Sequence, residues 1–148
     1  MKLCILGGGL TGLSLAKSLV KKGLSIDIFL NKKKSDFNRS RTIGISNDNL
    51  MYFNKEILDI KKLFWDIKKI EIYSENLRNE KILNFENNNK TVFAIIRNYQ
   101  LQSKLLKSLK KDKLCKFKQN FDYNLSNLKK YKLIINCEND NYFSKKFF

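Results

Sequence analysis

Histidine and proline are absent from the 148 residues, and cysteine and tryptophan are scarce. Without histidine the chain offers no Cys/His metal site and no histidine-activated nucleophile. Cys4, Cys115 and Cys137 are widely spaced and form no CxxC pair, so neither a disulfide framework nor a zinc site is predicted. We expect these thiols to act as small hydrophobic residues in a reducing cytoplasm. No catalytic side chain and no metal ligand is predicted.

Long apolar runs are missing as well. The stretch from Met1 to Leu6 passes directly into glycines, so it is too short for a signal peptide or a membrane-spanning helix. Neither a Pro/Gly-rich linker nor an internal repeat divides the chain, and its length suffices for one domain with a core. We therefore expect residues 1–148 to form a single domain that is soluble or peripheral to a membrane.

Acidic residues are few, since 14 Asp and Glu stand against 30 Lys and Arg, a net charge of +16. Such a charge attracts polyanions and acidic lipid surfaces. An AT-biased coding sequence would enrich Lys and Asn in this way and leave the lysines as solvated surface. Alternatively, they form a contact surface for an anionic membrane, where each nearby basic residue contributes roughly 1 kcal/mol. The second interpretation predicts a cytoplasmic protein that is peripheral on the inner membrane face.

The first 30 residues have the pattern of one βαβ unit. Residues 2–6 form a short apolar run, and apolar residues recur at helical spacing from Leu10 to Val20, with Gly23 as a C-terminal cap. Ser25 to Leu30 then has the β-branched, alternating character of a strand. Because a βαβ crossover requires parallel strands, the chain is assigned to the α/β class with a parallel sheet.

After residue 30, predicted strands and helices follow one another less regularly. A polar connection spans about 31–48, and a helical stretch follows over about 49–63. Three consecutive strands are predicted to form an antiparallel sheet inserted in the scaffold over roughly 66–96, within residues 67–73, 81–85 and 91–96. An amphipathic helix is predicted from Tyr99 to Leu109. Further strands are expected near 114–117, 121–125 and 132–137.

The strongest functional signal is Gly7-Gly8-Gly9-Leu10-Thr11-Gly12, a G-x-G-x-x-G between a predicted strand and a predicted helix. Gly7 permits a tight turn, Gly9 lets the backbone approach a pyrophosphate, and Gly12 allows the helix to pack closely on the strand. The first helical N–H groups, from Leu10 and Thr11 onward, then face the phosphates with partial positive charge. The motif predicts dinucleotide binding.

The end of the second strand departs from this pattern. A carboxylate usually binds the ribose hydroxyls there, but the sequence has Leu30 followed by Asn31. Asn31 can form a hydrogen bond without charge. Asp27 is expected on the opposite face of the strand from Leu30, because side chains alternate along a strand.

The glycine motif, continued by Leu13 to Ala16, Leu19 and Gly23, resembles the opening of the UbiH-type 2-polyprenylphenol hydroxylases, relatives of the p-hydroxybenzoate hydroxylase group. Three later segments are similar to that family in order and spacing. Residues 39–46 resemble a flavin-contact loop, with Arg41 matched to its arginine. Residues 96–102 resemble a segment that enters a helix beside the flavin, and residues 132–141 resemble a strand followed by Asp-Gly, where this chain has Glu138 and Asn139.

The resemblance implies FAD as cofactor and NAD(P)H as reductant, with one oxygen atom transferred from a flavin hydroperoxide to a polyprenylated phenol in ubiquinone biosynthesis. It also implies that the chain corresponds to the N-terminal, FAD-binding part of such an enzyme and is incomplete or inactive alone. The cofactor-binding positions predicted by motif and resemblance are Gly7, Gly9, Leu10, Thr11, Gly12, Asn31, Arg41, Arg97, Gln102 and Glu138.

Two alternatives stay open at this point. The first is an NAD(P)-dependent Rossmann oxidoreductase, in which Lys32 to Lys34 would favour a 2′-phosphate. The second is a basic nucleic-acid-binding module, suggested by the net charge of +16 together with 6 Tyr and 11 Phe. The chain carries no recognised motif for reading a nucleic-acid sequence, so no specific nucleic acid is expected as a partner.

Overall fold

The computed structural model describes residues 2–30, 39–76, 78–88, 90–119, 121, 129–138 and 142–147. In chain order the elements are β1 Lys2–Leu6, α1 Leu10–Lys21, β2 Ser25–Leu30, β3 Thr42–Ser46, α2 Asn47–Tyr52 with a π-helical continuation Phe53–Ile57, β4 Phe64–Ile67, β5 Lys69–Tyr73, β6 Lys81–Glu86, β7 Phe93–Arg97, α3 Asn98–Lys110, β8 Cys115–Gln119, β9 Leu133–Asn136 and α4 Tyr142–Phe147.

A parallel sheet in the order β8-β2-β1-β9 forms the centre of the fold. Leu3 and Ile5 of β1 and Ile26 and Ile28 of β2 lie in the main hydrophobic core on one face of this sheet. Strands that are buried on both faces read as nearly continuous apolar runs, as β1 does, whereas Asp27 interrupts the apolar residues of β2. The predicted α/β class and its parallel sheet are confirmed.

Helix α1 begins and ends where the glycines predict. After Lys22, Gly23 adopts φ +79°, its N–H bonds Val20 O at 2.9 Å, and Leu24 N–H bonds Leu19 O at 3.2 Å. These two bonds form a Schellman motif, which satisfies carbonyls that the helix end would otherwise leave free. The apolar side of α1 packs against α3, whose Leu101, Leu105 and Leu109 are fully buried.

The antiparallel part of the fold differs from the single inserted sheet that the sequence predicts. One sheet has the order β3-β7-β4, and β5 with β6 forms a separate two-stranded ribbon. β3 lies inside the expected polar connection, where Thr42, Ile43 and Ile45 supply a short β-branched run. The strand expected over 67–73 is interrupted at Lys68, so its first residue, Ile67, belongs to β4 and residues 69–73 form β5.

The expected helix over 49–63 is also shorter in the structure, because it ends at Ile57. Two side-chain acceptors stabilise the turns that replace its last part. Asn54 Oδ1 accepts a hydrogen bond from Ile60 N at 2.7 Å, and Asp59 Oδ1 accepts one from Lys61 N at 3.0 Å. Asn and Asp commonly divert the backbone in this way.

The C-terminal region adds α4, where no element is predicted from the sequence. Most of the strand expected over 121–125 lies outside the described residues. Among the helices that the structure describes, none combines the length and the apolar character that crossing a bilayer requires.

The second face of the parallel sheet carries a buried charge. Asp27 is 1% exposed, and its Oδ2 lies 3.0 Å from Lys2 Nζ, 2.6 Å from Lys118 Nζ and 2.8 Å from the Tyr131 hydroxyl. Burial alone would raise the pKa of Asp27, but the hydrogen bonds from Lys118, Tyr131 and Lys2 outweigh it and hold the pKa below its usual value. As expected, Asp27 and Leu30 lie on opposite faces, since Leu30 packs against the main core.

Candidate functional site

The glycine turn lies at the carboxyl end of β1, level with the end of β2. Gly7 has φ +114°, and its N–H donates to Phe29 O at 2.9 Å. A Cβ on Gly7 would lie 2.8 Å from Glu138 Cγ and 3.0 Å from Cys137 O. Both the backbone angle and the close approach of the segment after β9 therefore require glycine at position 7.

Gly9 and Gly12 have opposite surroundings. A Cβ on Gly12 would clash with the carbonyl oxygen of Gly7 and would lie 3.4 Å from Ile5 Cγ2, so this glycine lets α1 pack closely on β1. A Cβ on Gly9 would meet no described atom within 4 Å. The open space in front of Gly9 is what a bound diphosphate needs in order to reach bare backbone.

The N-terminus of α1 opens onto the same space. Gly9 is the N-cap residue, and within the described residues no side chain caps the helix and no acidic residue occupies its first turn. Leu10 is half-buried and Thr11 is exposed. Uncapped N–H groups and the positive end of the helix dipole together favour an anion at this position.

Two predicted residues from distant parts of the chain lie beside the turn. Gln102, on α3, donates from Nε2 to Gly8 O at 2.8 Å. Glu138 donates its backbone N–H to Asn136 Oδ1 at 3.1 Å, and its carbonyl oxygen accepts from Ser144 Oγ at 2.9 Å, so the segment beside Gly7 is held at both ends. The amide of Gln102 therefore binds the turn itself.

Arg41 and Arg97 lie next to each other at the start of β3 and the end of β7. Asn98 N donates to Arg41 O at 3.0 Å, and Thr42 pairs with Arg97 in the sheet. Both arginines are exposed, and Arg97 Cζ lies 5.1 Å from the centre of the Trp65 ring, a cation–π contact. The structure thus brings the backbones of the two arginines close together and places Arg97 beside Trp65, a residue with no predicted role, while Asn31 lies outside the described residues.

Leu30 is a second contact that the sequence did not reveal. A Cβ on Gly8 would clash with Leu30 Cδ2, so the leucine side chain lies over Gly8, the residue between the first two glycines of the motif. Apolar periodicity places Leu30 at the end of a strand, but it carries no information about which loop the side chain covers.

The thiols of Cys4 and Cys115 belong to β1 and β8 and not to the turn. Burial, followed by the charge of Asp27, raises the pKa of Cys4 to about 12, and burial raises that of Cys115 to about 11. Both are therefore poor nucleophiles. Within the described part of the chain, no group of Cys, Asp and Glu could hold a metal ion.

A cavity of about 370 Å³ lies between the β5–β6 ribbon and the start of α2, lined by Ser46, Asn47, Asp48, Asn84, Phe85, Glu86, Asn87, Thr91 and Val92.

Comparison with known proteins gives a likeness in structure only. No protein-family model matches the chain, and no curated protein matches its sequence. Among solved structures, p-nitrophenol 4-monooxygenase PnpA from Pseudomonas putida DLL-E4 superposes with a TM-score of 0.64 at 15% identity, over 80% of this chain and 31% of that one.

Two further structures agree. PqsL from Pseudomonas aeruginosa, a probable FAD-dependent monooxygenase, has a TM-score of 0.64 at 13% identity, over 80% of this chain and 32% of its own. HpxO from Klebsiella pneumoniae, solved with FAD and uric acid, has a TM-score of 0.58 at 18% identity, over 79% and 30%. The chain spans about a third of the length of these proteins. It therefore shares the α/β fold found in part of the flavin-dependent monooxygenases.

Proposed function

We propose that the chain binds FAD and serves as the flavin-binding part of a flavin-dependent monooxygenase. The observation that carries the proposal is the glycine turn at the carboxyl end of β1, where Gly9 faces open space and α1 begins without a cap. Fold likeness to monooxygenases, two of which were solved with FAD, supports the same choice of cofactor.

The residues present fit the diphosphate of FAD. Backbone N–H groups at the start of α1 would bind its oxygens, and Gly9 presents no side chain in their way. Gln102 and the segment around Glu138 keep the turn in place, because one bonds Gly8 O and the other packs on Gly7. Bound flavin supplies the redox chemistry, while these residues bind and orient its nucleotide end.

Arg97 and Trp65 have a separate proposed role. They form an exposed cationic and aromatic surface on the β3-β7-β4 sheet, and Arg41, which precedes β3, stays a predicted cofactor contact. Such a surface suits a planar, electron-rich or anionic ring, since guanidinium groups and indole rings both stack on flat ligands.

The finer assignment is a hydroxylase for a polyprenylated phenol in ubiquinone biosynthesis, with NAD(P)H as reductant. It is supported by the similarity of the four sequence segments to the UbiH-type family. This support comes from the residues of the sequence and not from the geometry of the site. An anionic membrane surface as a partner is supported by the net charge of +16. As the chain spans about a third of the monooxygenases it superposes on, hydroxylation itself is proposed for the complete enzyme.

The FAD proposal is tested by calorimetric titration of the purified protein with FAD, NADPH and NADH. We expect one FAD per chain and much weaker binding of both nicotinamide nucleotides. Tighter binding of NADPH than of FAD would support the oxidoreductase alternative instead, and absence of binding to all three would reject the nucleotide site.

A further inference from the structure

Leu30 occupies the position at which dinucleotide sites of this type normally recognise ribose. It follows Gly7 by 30 − 7 = 23 positions and is the last residue of β2. In these folds an Asp or Glu about 20 residues after the glycine motif hydrogen-bonds the ribose hydroxyls. The leucine side chain has no hydrogen-bonding atom, so the ribose hydroxyls lose their charged acceptor.

The position of Leu30 relative to the turn is fixed by the backbone. Gly7 N bonds Phe29 O at 2.9 Å, which holds the end of β2 against the first glycine. The next residue, Leu30, then lies over Gly8 and also packs on the main core. An apolar side chain thus covers the side of the turn that a ribose would face.

Among the described residues, neither Asp27 nor Gln102 replaces the missing carboxylate, and Asn31, which follows Leu30 outside the described residues, carries no charge. Asp27 points to the other face of the sheet, where Lys2, Lys118 and Tyr131 bond its Oδ2. The Gln102 amide nitrogen is engaged by Gly8 O.

We propose that Leu30 makes this nucleotide site insensitive to the ribose hydroxyls, so that it binds adenosine diphosphate groups through the diphosphate whatever the 2′ and 3′ substituents. The inference rests on the proposed function, because it concerns the same site. Its consequence is a site that selects ligands by the diphosphate and by the group attached beyond it.

The wild-type protein gives the first test, through competition of ADP and 2′,3′-dideoxy-ADP against bound FAD, followed by flavin fluorescence. We expect the two nucleotides to compete with affinities equal within about twofold, since hydrogen bonds to a charged acceptor, each of which changes affinity about tenfold or more, are missing. A wild-type preference for ADP of tenfold or more would overturn the proposal.

The variant Leu30→Glu gives the second test, with Leu30→Met as the matched control of similar size without an acceptor. Restoring a carboxylate is expected to raise the preference for ADP over 2′,3′-dideoxy-ADP about tenfold, while Leu30→Met keeps the two affinities equal within about twofold, as in the wild type. Thermal melting verifies that both variants fold. A folded Leu30→Glu protein that gains no preference for ADP contradicts the inference.

The two proposals fail in different ways. If the wild-type protein binds neither FAD nor ADP, the dinucleotide site itself is wrong. If it binds FAD and yet distinguishes ADP from its dideoxy form, FAD binding stands and the role of Leu30 is rejected.

Discussion

At the scale of single residues, two glycines of the turn are expected to affect different properties, Gly9 the binding of a ligand and Gly12 the stability of the fold. A Cβ on Gly9 meets no described atom within 4 Å, whereas one on Gly12 clashes with the Gly7 carbonyl. Gly9 has φ −73°, an angle that alanine adopts without strain. An alanine side chain therefore fits at position 9 when no ligand is bound, and it does not fit at position 12.

We predict that Gly9→Ala keeps the wild-type stability and weakens FAD binding at least tenfold, because its methyl group occupies the diphosphate space. Gly12→Ala should lower the free energy of unfolding by about 2 kcal/mol, the usual range for overpacking, despite the better helix propensity of alanine. Urea unfolding and fluorescence titration with FAD measure the two effects. Equal loss of stability in both variants would contradict this division.

The buried carboxylate of Asp27 gives a second prediction at this scale. Asp27→Asn should lower the free energy of unfolding at pH 7 by about 2 kcal/mol, the range for hydrogen bonds to charged groups. The pKa of Asp27 is lowered in the folded protein, so its contribution is present above the unfolded pKa of about 3.9 and is lost as pH falls through the folded pKa. The acid limb of the stability profile should therefore flatten in the variant.

Glu71→Gln is the matched control, since Glu71 also pairs with two lysines, Lys69 and Lys81. Hydrogen bonds from Lys81 and Lys69 lower the pKa of Glu71 to about 2, but its side chain is 25% exposed on the ribbon against 1% for Asp27. Solvent screening weakens such pairs, so we expect the unfolding midpoint to stay unchanged. A larger effect at Glu71 than at Asp27 would show that burial is not what gives the Asp27 network its weight.

At the scale of elements, the β5–β6 ribbon is much less buried than the parallel sheet. Its apolar side chains pair across the two strands, Ile70 with Phe85 and Ile72 with Leu83, yet the last three are 42–48% exposed. Isolated two-stranded ribbons are marginally stable in water. The parallel sheet, by contrast, is covered by α1 and α3 on its core face.

We predict that hydrogen exchange of the ribbon amides is faster than that of β1 and β2 by at least a hundredfold at neutral pH. The physical reason is local opening, which requires little apolar surface to be exposed at the ribbon and complete unfolding at β1. Mass spectrometry of exchanged peptides measures both regions in one experiment. Equal protection of the two regions would show that something else covers the ribbon.

Local chemistry explains which elements could be predicted from sequence. The βαβ unit can be predicted because its signals are short-range: Gly7 and Gly23 both need positive φ, and α1 has helical apolar spacing. The predicted helix over 49–63 is longer than the observed one, because the side chains of Asn54 and Asp59 accept hydrogen bonds from the backbone turns that follow Ile57. The β4 and β5 boundary and the contact of Leu30 with Gly8 depend on tertiary packing, which periodicity does not encode.

At the scale of the whole molecule, charge is unevenly distributed. The ribbon segment 69–86 carries Lys69, Arg78 and Lys81 against Glu71, Glu75, Glu80 and Glu86, so its net charge is 3 − 4 = −1. Because the net charge of the whole chain is +16, the remainder of the chain carries 16 + 1 = +17. Attraction for polyanions belongs to the part of the chain outside this ribbon.

We predict that this attraction is unspecific and salt-dependent. Two DNA duplexes of unrelated sequence should bind equally at about 50 mM salt and lose most of their affinity by about 200 mM, because binding of this kind depends on counterion release. Fluorescence anisotropy measures both. Binding of one duplex that persists at the higher salt would favour the nucleic-acid alternative.

The central claim is that a diphosphate binds at the start of α1, and amide NMR spectra recorded during titration with FAD test it most directly. The largest shift changes are predicted at the backbone amides of residues 8–13, with smaller ones at Gln102. Changes confined to the part of α3 that carries Lys104, Lys107 and Lys110, or no changes at saturating FAD, would contradict it.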